Sequence, residues 1–175
     1  TGQIPIYYNH RSTGRPAEAS NHYTSKYLDI PWTPLFPFGY GLSYTTFAYA
    51  NLRLSEPRIR ARDSVVVSVD VRNSGDRAGD EVVQLYIRDD VASEAEPVRG
   101  LKAFRRVTLQ PGEARTVTFR IGPEALALYD RRMRRVVEPG SFTVFVGTSS
   151  DDVLSAHFDV TGDTLILDPP TPRFR

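Results

Sequence analysis

The sequence predicts an all-β chain folded as a sandwich, led in by a long irregular segment. Three observations carry this. Apolar and polar residues alternate in short runs between residues 65 and 160, the period of strands with one buried face. Pro-Gly and Asn-Ser-Gly-Asp turn sequences separate the runs at fairly regular spacing, as in immunoglobulin-like sandwiches. Only Pro123 to Leu126 hints at a helix, and a single turn at that.

Residues 1–48 are rich in Pro, Gly and aromatics. Ile4, Ile6 and Tyr8 are spaced for one short strand. The stretch after them carries Pro16, Pro31, Pro34 and Pro37 and holds no period. An irregular stretch this long is uncommon inside a compact domain. Yet it contains Tyr23, Tyr27, Trp32, Phe36, Phe38, Tyr40, Tyr44 and Phe47, whereas disordered linkers are poor in aromatics. The two facts agree if the segment packs against something largely outside this chain.

From about residue 49 to 161 the strands follow in order. Val65, Val67, Val69 and Val71 share one face, with Ser68, Asp70 and Arg72 on the other. Asn73-Ser74-Gly75-Asp76 is a turn. Glu81 to Arg88 places Val83, Leu85 and Ile87 on one face, and Val98 to Leu109 holds another strand, broken near Gly100. Pro111-Gly112 suits a type II turn with Gly at the positive-φ position. Val117, Phe119 and Ile121 alternate with Thr116, Thr118 and Arg120. Pro139-Gly140 repeats the turn chemistry, then Phe142, Val144 and Val146 alternate with Thr143 and Phe145. Leu154, Ala156, Phe158 and Val160 make the last strand. Residues 162–175 read as an extended or disordered Pro-rich tail, in which Leu165, Ile166 and Leu167 are apolar enough to dock on the body.

Composition narrows the function. The length of 175 residues suits about one domain. A formal net charge of +1, from 22 basic and 21 acidic residues, gives no electrostatic reason to expect nucleic acid or a membrane surface. With no cysteine, disulfides, thiolate metal sites and cysteine nucleophiles are excluded. No run approaches the ~18 apolar residues of a membrane span. The only methionine is Met133, and the chain starts within an apolar segment, which suggests a cut through a larger protein.

The stretch Leu35 to Phe47, LFPFGYGLSYTTF, resembles the signature that closes the second catalytic-region domain of family 3 glycoside hydrolases. The same family order continues on both sides. Upstream stand Gly2 to Tyr8, Asn9-His10, Thr13-Gly14-Arg15-Pro16 and Tyr23-Thr24-Ser25-Lys26-Tyr27. Downstream stand Asn73 to Gly79 running into Glu81 to Tyr86, then Pro97 to Phe104, Leu109 to Glu113 and Glu138-Pro139-Gly140. The likeness spans about residues 2–160 and is greatest to exported bacterial β-glucosidases of the periplasmic type. It implies a fibronectin type III-like β-sandwich at 49–161, preceded at 1–48 by the remnant of an α/β sandwich domain and the inter-domain linker. It also implies a parent enzyme that hydrolyses terminal β-linked glucose, or a related sugar such as xylose, with retention, in the periplasm or outside the cell. Retaining glycosidases need a carboxylate nucleophile and a carboxylic acid roughly 5 Å apart. The family's nucleophile is an Asp in a Ser-Asp-Trp-like context, and Trp32 here follows Pro31. No catalytic residue is carried over, and no cofactor is implied.

The remaining constellations have plain readings. Asp80-Glu81, Asp89-Asp90 and Asp151-Asp152 are adjacent pairs whose members point to opposite faces of a strand, so solvated loop charge is expected over a calcium site. His157 lies on an outward face. Arg131-Arg132-Met133-Arg134-Arg135 sits where a hairpin loop is expected, against a nucleic-acid patch. Asn9 and His10 follow the first strand, where α/β domains bind ligands, so they could border the parent's sugar site or bond the following loop. The strip Phe36, Phe38, Gly39, Tyr40, Gly41, Leu42, Tyr44 and Phe47 is either a sugar platform or inter-domain packing, with Gly39 and Gly41 permitting tight bends. The resemblance favours packing.

The expected role is therefore a non-catalytic scaffold. Its partners would be the parent's catalytic domains and, through them, a β-glucoside, without nucleic acid or membrane; a homodimer of the parent is left open. The rivals are a carbohydrate-binding module, for which Tyr86 and Phe145 are the outward aromatic candidates, and a standalone interaction domain.

Overall fold

The computed structural model describes residues 7–167. The Ile4–Ile6 portion of the expected first strand lies outside the described residues, and Tyr8-Asn9 forms a turn. Residues 7–46 hold neither strand nor helix, only one isolated bridge from Arg11 to Pro97.

The sandwich starts at Phe47. Strands β1 (Phe47–Leu54), β3 (Val65–Asn73) and β6 (Ala114–Ile121) form a three-stranded antiparallel sheet in the order β1-β3-β6. The second sheet has five strands. They are β2 (Arg58–Arg60), β10 (Val153–Thr161), β9 (Gly140–Gly147), β4 (Gly79–Asp89) and β5 (Gly100–Leu109), in that order. All pair antiparallel except β2 with β10. The single helical turn α1 (Pro123–Leu126) falls where the sequence places it.

Residues of both sheets form one core. Val65, Val67, Val69 and Val71 are fully buried, and Val117, Phe119 and Ile121 lie beside them. Val83, Leu85, Val144 and Val146 join from the second sheet, and Phe142 stacks on Phe158 at 5.5 Å. Burying one such side chain contributes about 1.5–3 kcal/mol.

Turn chemistry is met at one Pro-Gly and not at the other. Gly112 has φ 75, and the Glu113 N–H donates to Gln110 O across it at 3.0 Å. Gly140 takes no positive φ. It is the first residue of β9, and an added Cβ would stand 2.8 Å from Val91 Cγ2. Close approach of the 90–97 loop, and not a turn, explains that glycine.

The described part of the tail, residues 162–167, holds a strand. Strand β11 (Leu165–Leu167) pairs with β8 (Arg135–Val137), which pairs with β7 (Leu128–Tyr129) in a third small sheet. Leu165 and Leu167 pack on the core.

The two main sheets differ in one respect that positions the site. In β3 burial alternates along the strand, so its outer face meets solvent. In β4 the run Val83–Ile87 is buried without a break, and so is Phe142–Gly147 in β9. Strands buried on both faces need a second cover. Here residues 7–46 supply it over β4, and Arg88 and Arg99 lie over Phe145 of β9.

Candidate functional site

The cover is built from specific contacts. Tyr8 stacks on Phe38 with ring centroids 3.8 Å apart and meets Tyr86 of β4 edge-on at 6.4 Å. Its hydroxyl accepts the Leu101 N–H at 2.9 Å. The Val98 N–H donates to His10 O at 3.0 Å, and the Ser150 N–H to Phe38 O at 2.8 Å. The Arg99 guanidinium lies 4.5 Å over the Phe145 ring and reaches Ser150 O.

Gln84 is the central clamp. It is buried, and its Nε2 donates to Gly39 O at 3.0 Å and to Thr148 O at 2.6 Å. Its Oε1 accepts the Tyr86 hydroxyl proton. Gly39 has φ 80, and a Cβ there would stand 2.0 Å from Gln84 Oε1. Only glycine fits over the clamp without strain. Gly41, expected to serve a similar bend, has no positive φ and open space around its Cβ position.

A second tie lies at the far end of the strip. Asn73 is fully buried. Its Oδ1 accepts the Thr45 hydroxyl at 2.7 Å and the Gly75 N–H at 3.0 Å. Its Nδ2 donates to Arg77 O at 2.6 Å and Leu109 O at 3.0 Å. The Ser74 N–H bonds Thr46 O at 2.8 Å.

The segment's other side is bare. Leu42 and Tyr44 are about 90% exposed, Phe36 is 62% exposed, and Phe38 and Tyr40 remain near half. Phe36 and Tyr40 lean on each other with centroids 5.0 Å apart. Phe47 is placed apart from the rest, as the first residue of β1 packed on the sandwich core. A set of exposed aromatics on a pinned backbone is the form of a docking surface.

Asn9 and His10 line a groove of about 510 Å³ with Tyr7, Trp32, Arg88 and Arg99. Asn9 takes φ 67, and His10 Nδ1 lies 2.7 Å from Tyr7 O. A carbonyl only accepts, so Nδ1 carries the proton of that bond.

Tyr86 and Phe145 stand on the outer side of their sheet but are not exposed. They are 0% and 6% exposed because Tyr8 lies against Tyr86 while Arg88 and Arg99 lie over Phe145. They cannot form a sugar platform on the sandwich face, and the alternation of β4 and β9 misled because it shows side, not cover. Gln84, Asn73 and Arg99 escaped the sequence reading. The signal for Gln84 was present: it interrupts an apolar run, VVQLYI, with no exposed side to serve.

The other constellations are occupied locally. Asp80 pairs with Arg106 and accepts the Thr108 hydroxyl at 2.5 Å, while Glu81, on the opposite face, accepts the Tyr49 hydroxyl at 2.6 Å. Burial pushes the Glu81 carboxyl up, and burial with Glu81 beside it pushes the Tyr49 hydroxyl up. Of the arginine run, Arg131 pairs with Glu94 at 2.8 Å, Arg134 with Asp130 at 2.7 Å and Arg135 with Glu124, around the β7–β8 hairpin. His157 is exposed and its Nδ1 lies 3.0 Å from Thr143 Oγ1. Among the described residues no cluster of three His, Asp or Glu is arranged to hold a metal ion.

Residues 81–150 match the family model of a fibronectin type III-like domain. Over 161 residues the chain is 47% identical to a periplasmic β-glucosidase of Salmonella typhimurium, covering 91% of this chain and 21% of that protein. A β-xylosidase of Formosa agariphila is 44% identical over 161 residues, covering 91% of this chain and 22% of that protein. A β-glucosidase of Listeria innocua, crystallised with glucose, superposes with a TM-score of 0.85 at 45% identity, covering 93% of this chain and 23% of that one. The chain thus spans about a fifth of the length of the curated relatives it matches.

Proposed function

Because the chain belongs with the C-terminal part of the family 3 glycoside hydrolases of β-glucosidase type, fibronectin type III-like domain included, we propose that it is the non-catalytic scaffold of such an enzyme. In this reading residues 1–48 are the last portion of the preceding α/β domain and its linker. Residues 49–161 are the sandwich, and residues 162–175 the tail. The observation that carries the reading is the two-sided segment 7–46. One side is sealed to the second sheet by Gln84 on Gly39 O, by Tyr8 against Tyr86 and by the Ser150 N–H on Phe38 O. The other offers Phe36, Phe38, Tyr40, Leu42 and Tyr44 to something beyond the chain.

The scaffold's chemistry is positional. The parent would hydrolyse a terminal β-glucosyl or related residue with retention, with both carboxylates supplied from outside this chain. Rigid attachment of the segment holds Asn9 and His10 at a fixed place. They would border the parent's sugar site, with the Tyr7 carbonyl orienting the His10 ring through its Nδ1–H. Two relatives acting on different sugars leave glucose and xylose both open. The periplasmic relative supports an exported parent.

The test is the intact mass of the native polypeptide carrying this sequence, followed by a β-glucosidase and β-xylosidase assay on it. A mass several times 19.7 kDa with glycosidase activity is expected. A native species near 19.7 kDa, or a larger one that cleaves neither glycoside, overturns the proposal.

A further inference from the structure

The outer faces of the two main sheets are unlike. Around Val66 the three-stranded sheet presents Ser68, Asp70, Thr116 and Thr118, the polar composition of a solvated face. The five-stranded sheet, beside the covered Tyr86, presents Phe104 at 69% exposure and Val82 at 40%. Register places both on the covered face: Phe104 stands opposite Gln84, and Val82 opposite Arg106. Residues directly opposite in an antiparallel pair share a face. Gln84 is the residue that holds Gly39 O, so Phe104 flanks the point where the aromatic strip crosses the sheet.

Resting on the scaffold reading above, we infer that the sandwich itself extends the docking surface, with Phe104 and Val82 joining Phe36 and Tyr40 in one apolar patch. Its occupant is the preceding part of the same polypeptide. About four fifths of each relative's length lies outside the match, which falls at the relatives' C-terminal end. The lead-in segment already lies on this face of the sheet, so that body arrives on the same side. The patch has the anatomy of an interface, an apolar centre with a polar border. Arg106, Asp80 and Thr108, joined to one another on the same face next to Val82, form the border.

The experiment is hydroxyl-radical footprinting of the unmodified native polypeptide, read at Phe104, Tyr44 and Tyr129, folded and in urea. Tyr129, half exposed on the small third sheet, is the reference. Expected is oxidation of Phe104 and Tyr44 slowed about tenfold or more on folding, as in a packed interface centre, with Tyr129 changed little. Protection at Tyr44 with Phe104 reacting freely overturns this inference and leaves the scaffold reading standing. Free reaction at both overturns both. Phe104 protection that disappears on dilution assigns the cover to a second copy and overturns the proposed occupant.

Discussion

Replacing Gly39 with alanine adds one methyl at the tightest point of the seal. Two costs follow from the geometry. The backbone sits at φ 80, where an L side chain costs roughly 1–2 kcal/mol. The new Cβ would also lie 2.0 Å from Gln84 Oε1 and 2.8 Å from its Cδ, so the carboxamide must leave. Its departure strips the fully buried Tyr86 hydroxyl of its acceptor, a loss of about 1–3 kcal/mol. Together the seal weakens by about 2–5 kcal/mol, while the Val65–Val71 core is untouched. The effect is therefore local. Hydrogen exchange at the Ser150 and Leu101 amides, which donate to Phe38 O and the Tyr8 hydroxyl, should accelerate by about a hundredfold for 3 kcal/mol. Amides of β3 and β6 should keep their protection. Adding Gln84→Ala removes the clashing group, so the double variant should lose less than the sum of the two single changes. Unchanged exchange at both reporter amides, or strictly additive losses, would refute the clamp.

Further outcomes follow from single groups. Asn73→Ala removes four hydrogen bonds from a fully buried side chain and should cost about 2–4 kcal/mol in urea unfolding; Asn73→Asp should be worse at neutral pH, setting a carboxylate oxygen against two carbonyls. The Asp89 carboxyl is pushed up to about 6, first by burial and then by Glu138, Asp90 and Glu96, against roughly 3.9 unfolded. The folded state therefore binds its proton more tightly, so stability should rise as pH falls from above 6 to below 4. Asp89→Asn should raise the melting temperature at pH 7.5, with a gain of about 1 kcal/mol after discounting for a half-exposed site, and change little at pH 4; an equal effect at both pH values would exclude the ionised carboxylate as the cause. Tyr49→Phe takes the hydroxyl donor from the half-buried Glu81 carboxylate, leaving it the Val82 N–H, and should cost about 1–3 kcal/mol at neutral pH and less in acid. A pH-independent loss there would point to packing alone.

Period-two alternation was enough to place Val65–Val71, Val117–Ile121 and Phe142–Val146 in strands, because alternation is a local property of the backbone. Pro111-Gly112 was legible for the same reason, since its φ requirement lies within four residues. Gly140 was not legible: its demand comes from Val91, which is remote in sequence. The strip's aromatics could be named from sequence, but Phe47 could not be separated from Tyr44, because three residues of chain carry it from the exposed segment into the core. Tyr86 and Phe145 show the limit most plainly. Alternation assigns them to the outer side of their sheet, and they are on it. Whether that side meets water depends on residues 8, 38, 39 and 99, whose arrival no local pattern encodes. The sequence by itself determined which residues form strands, where most turns fall and which face each side chain takes. Tertiary structure decided which faces are covered, since burial depends on what packs from elsewhere in the chain, and so it alone brought Gln84, Gly39 and Phe104 together.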